Sequence, residues 1–353
     1  MAEQKSYHNE SHQERVKKFR NILKDLPDFC REFFRGIEPN TSMLTRLNYA
    51  YDLRLFFEFI TSEIKEFSEY TPSTFTIEQL KKVEATHIEM FLEYLTFYSR
   101  PGQPDVEHEN HESGKARKLS TIRSFFSYLY KKERLDKNVA SLVDLPKIHE
   151  KPIIRLEPDE VAKLLDFVES GHGLTEAQKK YHQYTQKRDI AILTLFLGTG
   201  IRISECIGLN IEDLDFEVNG FKITRKGGNQ VILYFGDEVR QVLLEYLEER
   251  KKIQPLEGHE NALFLSLQRR RISNRAVQQL VKKYASIVTP LKKITPHKLR
   301  STYGTTLYRE TGDIYLVADV LGHKDVNTTK KHYAAISDDK RRMAARVVKL
   351  REE

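Results

Sequence analysis

The run of residues 144–158, DLPKIHEKPIIRLEP, sets the first limit on how this chain of 353 residues can fold. Three prolines in fifteen residues remove backbone donors and fix φ, so neither a continuous helix nor a central strand can cross the run. The chain must be built in two parts joined by an extended linker, with Pro158 in the first turn of the helix that follows. The length agrees, at ~100–200 residues per domain. The expected layout is a tail or appended helix over residues 1–30, a helical domain over 31–148, a linker over 149–157 and a second domain over 158–353, with the boundary near Lys151.

Before the linker the apolar residues recur at helical steps. Leu44, Leu47, Tyr51 and Leu55 describe an amphipathic helix capped by Thr41 or Ser42, and two more helices are expected over residues 85–98 and 118–132. Between those two lies RPGQPDVEHENHESGK, which has no apolar period and reads as a mobile surface loop, so the first domain is expected to be all-helical. His108 and His111 lie in that loop with nothing to fix them as metal ligands. After the linker, a helix over 159–169 is followed by a polar insertion and a strongly apolar helix over 189–197. Residues 221–225 and 230–235 flank Gly227-Gly228 as the strands of a hairpin, the one sheet expected, and the rest reads as helical. The fold class is therefore mainly α with a small antiparallel β-sheet.

Composition narrows the function. Up to Glu150 the chain carries 23 basic and 24 acidic residues, against 35 and 27 after it, so the net charge of +7 belongs to the second part. From Asn261 to Arg309 there are eleven basic residues and no Asp or Glu, among them Arg269, Arg270, Arg271, Arg275 and Lys298. A phosphate backbone is the natural compensation for such a stretch. The N-terminal residues lack an apolar signal core and no uncharged apolar run approaches ~18 residues, so the chain is expected to be neither exported nor membrane-spanning. Two cysteines, Cys30 and Cys206, fit a reducing cytoplasm, and no Cys/His cluster has zinc spacing; no metal or other cofactor is expected.

Four fragments place reactive side chains at turns or helix starts. GTGIRISE presents Arg202 at a helix N-terminus with Glu205 one turn on; TRKGGNQ puts Lys226 at a hairpin tip; TPHKLRST carries His297 and Arg300 at i and i+3; and VLGHKDVNTTKKHYAAI holds His323 and Tyr333 around a Thr-Thr pair. Each alone has a bland reading, as a surface ion pair, a solvated lysine or a core tyrosine. Together they supply two guanidiniums, an amine, two imidazoles and a phenol without clustered carboxylates for Mg²⁺, an inventory suited to metal-free phosphoryl transfer with a phenol as covalent nucleophile.

These residues, in this order, resemble the tyrosine recombinases (phage integrase family). The wording ITRKGGNQ, ITPHKLRST and LGHKD is most similar to Xer-type recombinases of Gram-positive bacteria, especially the single-protein systems. The resemblance covers essentially the whole chain. It implies a two-domain C-shaped clamp: an N-terminal helical, SAM-like core-binding domain that binds DNA, and a catalytic domain whose Lys226 rides on the edge of a three-stranded sheet. It implies that Tyr333 attacks the scissile phosphate to give a 3′-phosphotyrosyl link, with Arg202 and Arg300 holding the phosphate. Lys226 would protonate the leaving 5′-oxygen, His297 would relay the phenolic proton, His323 would bond a phosphate oxygen and Glu205 would support Arg202. Ser301 stands where many members have a second histidine, so a helper contact is expected to be weaker or water-mediated, and the ten-residue step from His323 to Tyr333 is one longer than in some Xer members. Tyr303 is the rival nucleophile.

The last segment carries Met343, Val347 and Leu350 at helical spacing. By resemblance this helix docks on a neighbouring subunit and ties a homotetramer together on the double-stranded recombination site, where an accessory or activating protein can act. The expected activity is site-specific recombination, as in chromosome dimer resolution. The other readings are integration or excision of a mobile element, a type IB topoisomerase and a non-catalytic DNA-binding protein. The C-terminal stripe argues against a topoisomerase, the filled motif positions against a decayed scaffold. The absence of an evident further domain before Thr41 favours the simpler Xer-like architecture.

Overall fold

The computed structural model describes residues 7–100, 103–147, 153–225, 228–323, 325–327 and 329. The chain divides into two compact units, Met1–Lys151 and Pro152–Glu353.

The first unit contains α1 (Tyr7–Ile22), α2 (Phe29–Ile37), α3 (Met43–Glu63), α4 (Ile77–Lys81), α5 (Ala85–Tyr94) and α6 (Glu112–Lys131). Helix α3 starts where the Ser42 hydroxyl accepts the Thr45 N–H at 3.2 Å. Its buried face meets α6 through aromatic rings, Phe57 and Phe125 lying 6.1 Å apart edge to face, and Phe33 of α2 packs on the same Phe125 at 5.2 Å. Buried Asp52 of α3 accepts from Arg117 Nη2 at 2.7 Å and from the Thr121 hydroxyl at 2.8 Å, both on α6.

Two expectations fail in this unit. Of the tail or appended helix expected over residues 1–30, the described part is a helix, and it joins the core instead of standing apart: α1 packs on α3, Ile22, Leu26 and Cys30 are buried in the common core, and Phe19 meets Phe34 edge-on at 5.0 Å. The segment read as a mobile loop forms an antiparallel hairpin, β1 (Phe97–Arg100) with β2 (Gln103–Glu109), so the unit is not all-helical and α5 stops at Tyr94 rather than running to residue 98. The hairpin is held by side chains rather than by an apolar face. Tyr98 stacks on its cross-strand partner His108 at 5.2 Å, and Arg100 donates to both oxygens of Glu58.

The second unit contains α7 (Pro158–Ser170), α8 (Glu176–Thr199), α9 (Ile203–Gly208), β3 (Leu214–Asp215), β4 (Gly220–Thr224), β5 (Gln230–Tyr234), α10 (Asp237–Lys251), α11 (Asn274–Val288), α12 (Pro296–Thr311) and α13 (Ile314–Leu321). The strands form one antiparallel sheet in the order β3-β4-β5. Pro158 is the first residue of α7, and Leu156 just before it is buried, its N–H bonded to the Thr302 hydroxyl at 3.0 Å, so the end of the linker is docked on α12.

The polar insertion is in fact the first half of α8, a helix of 24 residues packed against α7, α10 and α12. Thr175 and Gln178 form its reciprocal cap, at 3.3 and 3.0 Å. Its polar half hides a second network in place of an apolar stripe: buried Asp189 accepts from Arg188 Nη2 at 2.7 Å, the Tyr284 hydroxyl at 3.0 Å and Lys283 at 3.2 Å, and Tyr284 in turn meets His182 Nδ1 at 3.1 Å. The C-terminal segment with Met343, Val347 and Leu350 lies outside the described residues.

Candidate active site

The site is assembled at helix ends. Gly200 ends α8 in the left-handed region at φ +62, and a Cβ there would lie 2.5 Å from Tyr303 and 2.9 Å from Leu321. Glycine is therefore required both by the turn and by the packing. The turn delivers Arg202 directly to the start of α9, where its N–H donates to Glu205 Oε2 at 2.9 Å and its Nη1 to Oε1 at 2.8 Å. Glu205 is buried, so its charge is matched by the one guanidinium that caps its own helix.

The remaining arm of Arg202 reaches α13: Nη2 donates to the carbonyls of Leu321 and Gly322, each at 2.9 Å. Arg300, one turn into α12 and buried, donates from Nη2 to the same Leu321 carbonyl and from Nη1 to the Gly200 carbonyl. Two arginines from fragments about a hundred residues apart thus converge on one backbone oxygen. The shared acceptor, the Leu321 carbonyl, is the last of α13 and lies at the negative end of its dipole, which favours both cations there.

His323 follows immediately. Gly322 turns the chain at φ +60, and His323 Nδ1 meets the hydroxyl of Thr329, fully buried, at 2.7 Å. That contact fixes the ring. Thr329 is the second residue of the Thr-Thr pair noted in the sequence, and its role is to hold this ring. His297 is exposed at the start of α12, one turn before Arg300, where Pro296 and the Thr295 cap set the helix entry. The Ser301 hydroxyl donates back to the His297 carbonyl at 3.0 Å. Lys226 and Tyr333 lie outside the described residues.

Rival nucleophiles are packed away. Tyr303 is half-buried against Gly200 and α13, and burial pushes its phenol up. Burial likewise pushes up the thiol of Cys206, beside Glu205, away from the thiolate a nucleophile needs. Among the described residues no three His, Cys, Asp or Glu side chains group as a metal site.

The basic stretch separates into two sets. Arg271 departs from its expected place on a DNA surface: it donates to the carbonyls of Ile207 and Leu209 at 3.0 and 2.8 Å and to Asn210 Oδ1 at 2.6 Å, tying down the end of α9. Lys283, Lys292 and Arg309 are compensated by Asp189, Glu160 and Glu157 from outside the acid-free stretch. Arg269, Arg270 and Arg275 are exposed and Lys298 half-exposed. Arg269 is left-handed, at φ +58, in a turn closed by its N–H to the Ser266 carbonyl at 2.9 Å.

Convergent guanidiniums beside an oriented imidazole make a site for a phosphodiester. Residues 154–340 match the phage integrase family, and the chain belongs to that family, whose tyrosine recombinases cut and rejoin DNA strands. It is similar to tyrosine recombinase XerC of Caldanaerobacter subterraneus subsp. tengcongensis, 32% identical over 341 residues that cover 93% of this chain and 87% of the relative. It is also similar to tyrosine recombinase XerC of Thermodesulfovibrio yellowstonii, 38% identical over 218 residues that cover 61% and 69%. Its fold is similar to that of XerH site-specific recombinase bound to palindromic difH substrate in a post-cleavage complex, with TM-score 0.66, 20% identity and coverage of 95% of this chain and 89% of that one. The Tn1549 transposon integrase in complex with circular intermediate DNA shares the fold at TM-score 0.61, 21% identity and coverage of 90% and 99%. Within the family the chain is a site-specific DNA recombinase of Xer type.

Proposed function

We propose that the chain resolves chromosome dimers by recombining two copies of one chromosomal site in the cytoplasm, and that Tyr333 is its nucleophile. The observation that carries the chemistry is the convergence of Arg202 and Arg300 on the Leu321 carbonyl, next to His323. Similarity to XerC proteins along nearly the full length supports the biological role.

In this reading Arg202 and Arg300 hold the non-bridging oxygens of the scissile phosphate and His323 donates to one of them. The Tyr333 oxygen bonds to phosphorus as the phosphorus–O5′ bond breaks; the phenolic proton passes to His297, and the leaving O5′ takes a proton from the Lys226 ammonium. The 3′-phosphotyrosyl link conserves the bond energy, so a second strand's 5′-hydroxyl reverses the step and joins a new partner. Glu205 fixes Arg202 from behind. Arg269, Arg270, Arg275 and Lys298 contact DNA phosphates, a reading their exposure supports. Four copies assemble on the paired sites through the segment with Met343, Val347 and Leu350, and an accessory protein sets when they act.

The role is tested in cells of the host by excision of a cassette flanked by two copies of its dimer-resolution site. Deleting the gene is expected to abolish excision, restored by the wild-type chain and not by Tyr333→Phe. Undiminished excision would move the role to a mobile element.

A further inference from the structure

Arg225 is the last residue before Lys226, and nothing in its sequence sets it apart from the surface arginines around it. Its backbone is fixed at the hairpin: its N–H donates to the Asn229 carbonyl at 2.8 Å and its carbonyl accepts the Gly228 N–H at 3.0 Å. Its side chain leaves the hairpin altogether. Nη2 donates to the Val320 carbonyl at 2.8 Å and Nη1 to the Asp319 carbonyl at 3.2 Å, 95 and 94 residues along the chain. These carbonyls directly precede those of Leu321 and Gly322 that hold Arg202 and Arg300. The packing is close, since a Cβ on Gly322 would come within 2.4 Å of Arg225 Nη1. Three arginines from three separate segments therefore grip four consecutive carbonyls at one helix end.

The structure assigns Arg225 as a positioning residue for strand cleavage: it ties the hairpin residue next to Lys226 to the same end of α13 that holds the two phosphate-binding arginines. The consequence is geometric. An acid on a four-carbon stem protonates a leaving oxygen efficiently only if its attachment point is fixed relative to the phosphate. Arg225 provides that fixed point with a planar fork whose two terminal nitrogens each take one of two successive carbonyls, a more rigid hold than the single nitrogen of a lysine. The assignment rests on the reading of Lys226 as the acid that protonates O5′.

The test compares two nicked duplexes that the wild-type chain cleaves, one natural and one with sulfur in place of the bridging 5′-oxygen at the scissile phosphate. A 5′-thiolate leaves without a proton, so only loss of the acid is rescued by sulfur. Arg225→Ala is expected to cleave the oxygen substrate about tenfold or more slowly, within the ~10²–10⁴-fold that a placed acid supplies, and the sulfur substrate within about threefold of wild type. Arg225→Lys is expected to fall between on oxygen and to match wild type on sulfur. Equal slowing of Arg225→Ala on both substrates makes the arginine merely structural and overturns the proposal, as does no slowing on either. Lys226→Ala separates the two levels. If sulfur rescues it while Arg225→Ala stays slow on both, the Arg225 assignment alone falls; if sulfur fails to rescue it, the Lys226 reading falls and takes the Arg225 assignment with it.

Discussion

Replacing Gly200 by alanine tests whether the active-site frame is built as described. Gly200 ends α8 at φ +62 and its carbonyl accepts from Arg300. An alanine there takes on the left-handed penalty of ~1–2 kcal/mol. Its Cβ would stand 2.5 Å from Tyr303 Cδ1 and 2.9 Å from Leu321 Cδ2, so a ring and a leucine must move, at ~1–3 kcal/mol for overpacking of this kind. Loss of freedom in the unfolded chain returns ~0.4–1 kcal/mol. The net is a destabilisation of about 1–5 kcal/mol, read from the urea midpoint of the full chain by circular dichroism. In a Tyr303→Ala background the ring is gone, so the same substitution is expected to cost about 1 kcal/mol less. A cost below about 1 kcal/mol in the wild-type background, or no coupling to Tyr303, would refute the close packing of α8, α12 and α13 around the arginines.

Two other consequences can be measured separately. Burial, followed by the Lys283 ammonium, holds His182 below the usual imidazole range, so the unfolded ring takes a proton near pH ~6.5 while the folded ring still resists it. Stability from this residue is present above that pH and lost as pH falls through it, so His182→Gln is expected to gain on wild type between about pH 8 and 5; parallel stability curves would contradict this. For the exposed arginines, Arg269→Ala with Arg270→Ala is expected to weaken binding across DNA sequences and to reduce the slope of log K against log salt by about 1.8, and an unchanged slope would place both side chains in water.

What was legible in the sequence follows from where the physics is local. Helices α3 and α6 announce themselves because apolar residues recur at helical steps, although Leu44 and Tyr51 of the α3 set are exposed, and the arginine fragments stand out because Gly200, Pro296 and Gly322 mark the helix ends that present them. The β1-β2 hairpin is opaque because Tyr98 on His108 and Arg100 on Glu58 hold it, and such polar pairs leave no alternating apolar signal. The first half of α8 is opaque for a similar reason: its buried residues are His182 and Thr185, bonded to Tyr284 and Asp189, rather than an apolar stripe. Charge counting misplaces Arg271 and overlooks Arg225, because what separates them from surface arginines is carbonyl oxygens 62 to 95 residues away. Only the folded backbone brings those acceptors to them.

Cleavage by Tyr333 at a phosphate held by Arg202 and Arg300 is tested most directly by incubating the purified chain, in EDTA, with a nicked suicide duplex carrying the host's dimer-resolution site and resolving protein–DNA adducts on denaturing gels. The expected result is a covalent adduct on the 3′ side of the break and a free 5′-hydroxyl on the released strand, formed by wild type and absent with Tyr333→Phe. An adduct that survives in Tyr333→Phe would contradict it.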